Sequence, residues 1–309
     1  MKLKLVTIVI FSFFLFFPFQ RARAQEMVTL SVSPPVFELT ANPGDTLKNV
    51  IRVSNPHEEP LKVSVDTRNF VAVGEVGSVG LTEEETPYSL ASWISVTPTQ
   101  VEIPGESSWY FNVETNVPLN AEPGGHFGSV VFKTGGGAVQ QTGAAVTQEL
   151  GSLFLLRVSG KVTEDGRVES FSAEKKFWEY GPIRFDLRVE NNGNVHIKPQ
   201  GKIAITNMLG KEVAEVDVKP QNVLPDAVRK FSPTWEKEIL FGKYTATASL
   251  VYGSDSEVLN ATTSFYAFPY KVGGAVLAGL IVIGFLLYRG RRRIALALRI
   301  LFGKHEDKA

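Results

Sequence analysis

One segment of the chain has residue types that suit a binding site, namely Gly124-Gly125-His126-Phe127. Glycines let another backbone or a ligand come close, because they carry no side chain to block it. His126 and Phe127 would then offer a polar tip and a stacking face. A purely structural alternative is a Pro-Gly-Gly turn that leads into a core strand, with His126 on the solvent face.

No other group of residues suggests catalysis or a bound cofactor. The four histidines, His57, His126, His196 and His305, lack the mutual spacing of metal ligands, and the chain has no cysteine. Gly-x-Ser-x-Gly and phosphate-cradling motifs are missing from the sequence as well. We therefore expect a protein that is not an enzyme and that uses no metal and no cofactor.

The elements that would carry such a binding segment are β-strands. Apolar residues alternate with polar ones in runs such as Leu61 to Val65 and Ile183 to Val189, and Pro-Gly or Asn-Gly turns separate the runs. Short strands at this spacing are typical of β-sandwiches. The sequence predicts an all-β fold with two tandem immunoglobulin-like β-sandwiches, residues 25–160 and 161–268, followed by a single C-terminal transmembrane helix. Two Gly-rich stretches of the first sandwich, 73–90 and 134–143, are predicted to be long solvated loops.

The two termini predict how the chain is placed in a membrane. Residues 1–24 have a basic start, a short apolar core and small residues at Ala22 and Ala24, which together indicate a secretory signal peptide. Residues 269–288 form an apolar span, and residues 289–309 form a basic cytoplasmic tail that we expect to continue as an interfacial helix. The residues expected to anchor the span in membrane lipid are Tyr270, Tyr288, Arg289, Arg291, Arg292 and Arg293.

Charge and cysteine content restrict the class of partner and the cellular location. The chain has 32 basic and 32 acidic residues, but the basic ones are concentrated at the two termini, so the exterior between them is acidic. An acidic exterior argues against nucleic acid as the partner. An exported chain without cysteine is more natural for a bacterium or archaeon than for an animal secretory pathway. We expect a single-pass protein of the cell membrane, with its N-terminal part outside the cell.

Three segments resemble a known family. They are Ser31-Val32-Ser33-Pro34-Pro35 with the following Pro43-Gly44-Asp45, then Trp93-Ile94-Ser95-Val96-Thr97-Pro98, then Pro123-Gly124-Gly125-His126-Phe127-Gly128. In this order they are similar to the WxL-interacting proteins of Gram-positive cell surfaces. That resemblance implies a peptidoglycan-binding first sandwich, a second sandwich that binds a host or partner protein, one membrane span and a basic tail.

Three functions remain open on these grounds. The first is a membrane-anchored bacterial cell-surface binding protein whose sandwiches bind cell-wall glycan or a surface protein partner. The second is a structural scaffold or chaperone-like subunit of an envelope complex, which donates or accepts a strand at a sheet edge. The third is a hydrolase with an unrecognised site.

Overall fold

The computed structural model describes residues 30–134 and 148–302, with side chains described as far as Arg291. Within these ranges the protein is almost entirely β-structure, followed by one long helix. The predicted signal peptide, most of the predicted loop at 134–143 and the last seven residues of the tail lie outside the described residues.

The N-terminal half, residues 30–160, contains two sheets that share one cluster of buried apolar side chains. Fully buried Phe111 comes from the four-stranded sheet, and Phe132 and Phe154 come from the six-stranded sheet. The strand order is β1-β3-β8-β6 in the first sheet and β2-β10-β9-β4-β5 in the second, where β7 also pairs with β4. The strands are β1 Ser31–Ser33, β2 Val36–Ala41, β3 Thr46–Asn55, β4 Leu61–Val73, β5 Ser78–Thr82, β6 Ile94–Thr97, β7 Gln100–Ile103, β8 Ser107–Asn116, β9 Gly124–Thr134 and β10 Glu149–Val158, with a 3₁₀ turn at Ala91–Trp93.

The start of the described chain belongs to both sheets. Strand β1 pairs with β3 in the four-stranded sheet, and β2, two residues later, pairs with β10 in the six-stranded sheet. The β2–β10 pairing is parallel and runs from Val36 opposite Leu153 to Ala41 opposite Val158. The other pairings of this sheet are antiparallel. The segment from Ser31 to Ala41 therefore joins the two sheets at one side of the shared core.

The C-terminal half, residues 161–268, contains a second pair of sheets around a second apolar cluster. Ile183, Phe185, Leu187 and Val189 are fully buried, which confirms the strand predicted from their alternation. The sheet orders are β11-β13-β16, with β17 also on β13, and β12-β19-β18-β14-β15. The strands are β11 Gly166–Ala173, β12 Phe177–Trp178, β13 Ile183–Asn191, β14 Gln200–Asn207, β15 Glu212–Val218, β16 Ala227–Phe231, β17 Thr234–Trp235, β18 Gly242–Tyr252 and β19 Glu257–Ala267.

The prediction of a long solvated loop from residue 73 to 90 was wrong in its first part. Strand β4 continues to Val73 and pairs with β5, so the stretch forms a hairpin. Gly74 and Gly77 have φ angles of 63° and 84°, which side chains disfavour, and they allow the chain to reverse within four residues. The glycines therefore reflect a tight turn.

The C-terminal helix, α1, runs without a break from Tyr270 to Phe302, a length of 33 residues. The segment Tyr270–Arg291 is long and apolar enough to cross a membrane, and none of it is buried against the rest of the protein. The sequence predicted a span that ends at residue 288 and an interfacial helix in the tail. The backbone stays helical through the arginine cluster at 289–293, so the two predicted segments form one continuous helix, and the guanidinium of Arg291 lies 4.7 Å from the ring centre of Tyr288.

Candidate functional site: an apolar groove between the two halves

A groove of about 270 Å³ lies between the six-stranded sheet and the segment 221–229 of the C-terminal half. Strand β10 contributes side chains of its outer face to the groove. Phe154 and Leu156 point into the core, so Leu153 and Leu155 point to the opposite face, because successive side chains of a strand alternate. We call this site the central groove. Its principal apolar lining comes from Val36, Phe70, Ala72, Val79, Leu155 and Leu224.

A small apolar cluster lies beside the groove and contributes Phe70, Leu155 and Leu224 to its lining. Phe70, Phe127 and Leu155 are each at least 96% buried, and Tyr88 and Leu224 pack against them. The ring centres of Phe70 and Phe127 are 5.8 Å apart. Leu224 belongs to the C-terminal half, so this cluster joins the two halves by apolar contact.

The four residues predicted to form a ligand site are all buried, and three of them, Gly124, Gly125 and Phe127, lie where the two halves meet. The backbone NH of Gly125 donates to the carbonyl oxygen of Asn194 at 2.7 Å. A Cβ at Gly124 would lie 2.7 Å from the same oxygen. The glycines therefore allow two segments of this same chain, the start of β9 and the turn at Asn194, to come close together. Binding of a ligand at these positions stays a prediction.

His126 and Phe127 leave β9 on opposite faces. Phe127 belongs to the small apolar cluster beside the groove, whereas the His126 ring lies 4.4 Å from that of Trp93, on the core side of the sheet. The two ring nitrogens of His126 are 3.2 Å and 2.9 Å from the carbonyl oxygens of Ser89 and Glu122. The alternative that placed His126 on the solvent face was therefore wrong, because the strand is covered on both faces.

Ion pairs also connect the two halves. At the tip of the β4–β5 hairpin, Glu75 accepts two hydrogen bonds from the guanidinium of Arg188, and its carbonyl oxygen accepts one from the NH of Lys230 at 2.8 Å. The hydrogen bond from Arg188 lowers the pKa of Glu75 below its ordinary value. The hairpin is in this way attached to the C-terminal half.

The second ion pair joins Glu38 of β2 to Lys198, with 2.7 Å between the carboxylate and the ammonium nitrogen. Asn222 donates to the same carboxylate at 2.8 Å. The hydrogen bond from Lys198 lowers the pKa of Glu38, in spite of partial burial that acts in the other direction. Both carboxylates belong to the N-terminal half and both cations to the C-terminal half, so the two surfaces are complementary in charge.

His196 lies near the second ion pair. Its ring centre is 5.8 Å from that of Phe127, and its Nδ1 has no hydrogen-bond partner among the described residues. Burial, which disfavours the charged form, lowers the pKa of His196 to about 4. The imidazole is therefore neutral near pH 7, although it lies beside the charged side chains of Glu38, Arg157 and Lys198.

The remaining predicted residues are in α1. Tyr270 and Tyr288 are exposed near the two ends of the apolar segment, and Arg289 and Arg291 follow it. Arg292 and Arg293 continue the helix. Within residues 30–134 and 148–302, no group of three or more histidine or acidic side chains is placed to hold a metal ion.

The sequence contained one overlooked signal for this site. The run Leu153-Phe154-Leu155-Leu156 is apolar at every position, and a strand that is covered on both faces has this pattern. A strand with water on one side would alternate. The run therefore indicated that something covers the outer face of the first sandwich.

No protein-family model and no curated protein sequence matches the chain. Solved structures give distant likenesses. The class 5 fimbriae chaperone CfaA is similar over 77% of this chain and 99% of its own, with a TM-score of 0.42 and 13% identity. A chain from the complex of the Salmonella enterica SafA pilin with the SafB chaperone is similar over 78% of this chain and 99% of its own, with a TM-score of 0.42 and 11% identity. A PapD-like domain of human CEP192 covers 43% of this chain and 86% of its own, with a TM-score of 0.31 and 10% identity. Because these TM-scores are below 0.5, none of the likenesses assigns a partner or an activity to this chain.

Proposed function

We propose that this protein is a membrane-anchored, outward-facing binding protein that holds an extended apolar segment of a partner protein in the central groove. The observation that carries the proposal is the position of β5. This strand is at the edge of the six-stranded sheet, its outer edge is unpaired among the described residues, and its Val79 lines the groove. An extended segment that pairs with β5 would place alternate side chains in the groove.

The chemistry of the groove favours protein over glycan. Its volume is below the roughly 300–1,000 Å³ of sites for drug-sized ligands, so it suits a few side chains. Most of its lining is aliphatic, with polar groups from Gln221, Asn222 and Arg229 at one side. A sugar needs many hydrogen-bond partners, which this lining does not provide. Of the two ligand classes considered from the sequence, a surface protein is the better match, and an envelope scaffold or chaperone-like subunit would bind in the same way.

The architecture belongs to the same proposal. The separate apolar clusters on either side of residue 160 support two tandem immunoglobulin-like sandwiches, residues 25–160 and 161–268. The exposed apolar segment of α1 supports a single span with the arginines at its cytoplasmic end. The segments quoted above further support membership of the WxL-interacting protein family, in which the first sandwich would also contact the cell wall.

Substitution of Val79 by tryptophan tests the proposal. The larger side chain would fill the groove beside β5 and block a bound segment. Val50 of β3 is a matched control, because it is a similarly exposed strand valine on the other sheet. The full-length chain, in detergent or in vesicles, would carry a photo-crosslinking residue at position 81 and be exposed to envelope extract and to purified cell wall.

We expect a protein adduct that Val79→Trp abolishes and Val50→Trp retains. An adduct that both variants keep would place the partner at β5 but outside the groove, and would refute binding in the groove. Retention of the chain by purified wall, with no protein adduct in the unsubstituted chain or in Val50→Trp, would contradict the proposal and favour the glycan function.

A further inference from the structure

Exposed apolar side chains are concentrated at one end of the C-terminal half. Outside α1, seven large apolar side chains among the described residues are more than two-thirds exposed, and five of them are at this end. Their exposed fractions lie between 68% and 84%. Soluble surfaces rarely gather such residues in one place without a contact to cover them. We call this set the basal ring: Phe177, Met208, Leu209, Ile239 and Phe241.

Strand register places the ring beside the start of α1. Gly242, the first residue of β18, is opposite Ala267 at the end of β19, and Asn207 at the end of β14 is opposite Tyr244. The loops after Asn207 and before Gly242 therefore leave the sheet at the level where β19 ends. Since a strand rises about 3.3 Å per residue, these loops begin within about 7 Å of Ala267, the last residue of β19, along the strand direction.

The first turn of α1 is also held against this end of the sandwich. The rings of Phe241 and Phe268 have centres 5.2 Å apart, and Phe177 stacks on Tyr266 at 5.3 Å. The ammonium of Lys271 lies 2.7 Å from the carboxylate of Glu179. The ring and the helix start therefore have a fixed relation, and a membrane that receives α1 meets the ring as well.

We propose that the basal ring rests in the headgroup layer of the outer leaflet, so that the bilayer binds the end of the second sandwich in addition to α1. The inference rests on the proposed function in one respect, namely that α1 spans the membrane. The headgroup layer is about 5–8 Å thick on each side of the hydrocarbon core, comparable with the distance between the ring and the helix start. Aromatic and apolar side chains are favoured at this depth.

The absence of cysteine allows the depth of single sites to be measured in the full-length chain. Leu209→Cys and Ile239→Cys report on the ring, Leu280→Cys on the span, and Leu119→Cys on a remote surface of the N-terminal half that is 87% exposed. All four side chains are exposed, so a fluorophore attached there leaves the cores intact. The labelled proteins would be reconstituted in vesicles of phosphatidylcholine and phosphatidylglycerol, and quenched by nitroxide-bearing lipid or by aqueous iodide.

We expect nitroxide lipid to quench the labels at 209, 239 and 280, and iodide to quench the label at 119. If iodide quenches the labels at positions 209 and 239, as it does the label at 119, while nitroxide lipid quenches the label at 280, then α1 spans the membrane but the basal ring does not contact it. That result would refute the inference about the ring. If 280 is also open to iodide and not to nitroxide lipid, membrane anchoring fails, and the proposed function fails with it.

Discussion

A drop in pH from 7.5 to 5 should destabilise the C-terminal half through His196. The pKa of this residue is about 4 in the folded protein and about 6.5 in an unfolded chain. The unfolded chain therefore binds a proton that the folded protein excludes. The contribution to stability is fully present above the unfolded value of about 6.5, and it is lost progressively as the pH falls towards the folded value.

Linkage converts these two values into a loss of about 2 kcal/mol between pH 7.5 and pH 5. The measurement stops at pH 5 because carboxylates begin to take up protons in more acidic solution. Glu38 and Glu75 have pKa values below their ordinary 4.5, so their contribution disappears only in more acidic solution. The interval from 7.5 to 5 thus isolates histidine from carboxylate effects.

Urea unfolding of the detergent-solubilised chain, followed by tryptophan fluorescence at both pH values, measures the loss. The variant His196→Gln keeps a polar side chain but does not titrate, and every other histidine is unchanged. The difference between the two pH dependences therefore reports His196 alone. Equal pH dependences in the wild type and the variant would refute the conclusion that burial keeps this imidazole neutral.

Three further substitutions test the packing. Phe111→Ala should lower the free energy of unfolding by about 3–5 kcal/mol, because Phe111 is fully buried. Tyr110→Ala, at the exposed neighbouring position, should lower it far less, and chemical denaturation measures both. Asn191→Ala should lower the free energy of unfolding by at least about 2 kcal/mol, since two carbonyl oxygens and one NH lose a buried hydrogen-bond partner. Asn192→Ala, at the exposed neighbouring position, is the control in the same unfolding assay. Gly124→Ala should loosen the junction of the halves, because its Cβ would meet a facing carbonyl oxygen at 2.7 Å; limited proteolysis that is as slow as in the wild type would count against this.

The strands were predictable because most of them have one face in a core. Ile203 and Ile205, for example, are fully buried, as their spacing of two residues indicates. The burial of His126 could not be predicted in this way, because β9 is covered on both faces and its residues do not alternate. The contacts between the halves were not predictable, since they join residues such as Glu75 and Arg188 that are 113 positions apart.

One local hydrogen-bond pattern can be predicted from the sequence, and it occurs twice in the structure. Asparagine at a strand end can hydrogen-bond its own backbone, and Asn55 is the last residue of β3. Its side chain accepts from the NH of His57 and donates to the carbonyl oxygen of Glu59. Asn191 makes the corresponding bonds, two and four residues further on, in the C-terminal half. Such short-range chemistry depends only on neighbouring residues, and it can be inferred without knowledge of the tertiary structure.

The parallel pairing of β2 with β10 sets an order for folding during synthesis. The partners are separated by 117 positions, from Val36 to Leu153, and loop-closure entropy must be overcome before the pairing contributes. Strands β3 to β9 are all made before β10. Until β10 has been synthesised, β2 has no partner in the six-stranded sheet, and the edge of β9 that β10 finally occupies stays open. The apolar face of the groove stays uncovered for longer, until residues 221–229 have been made, and an incomplete chain is therefore prone to aggregation.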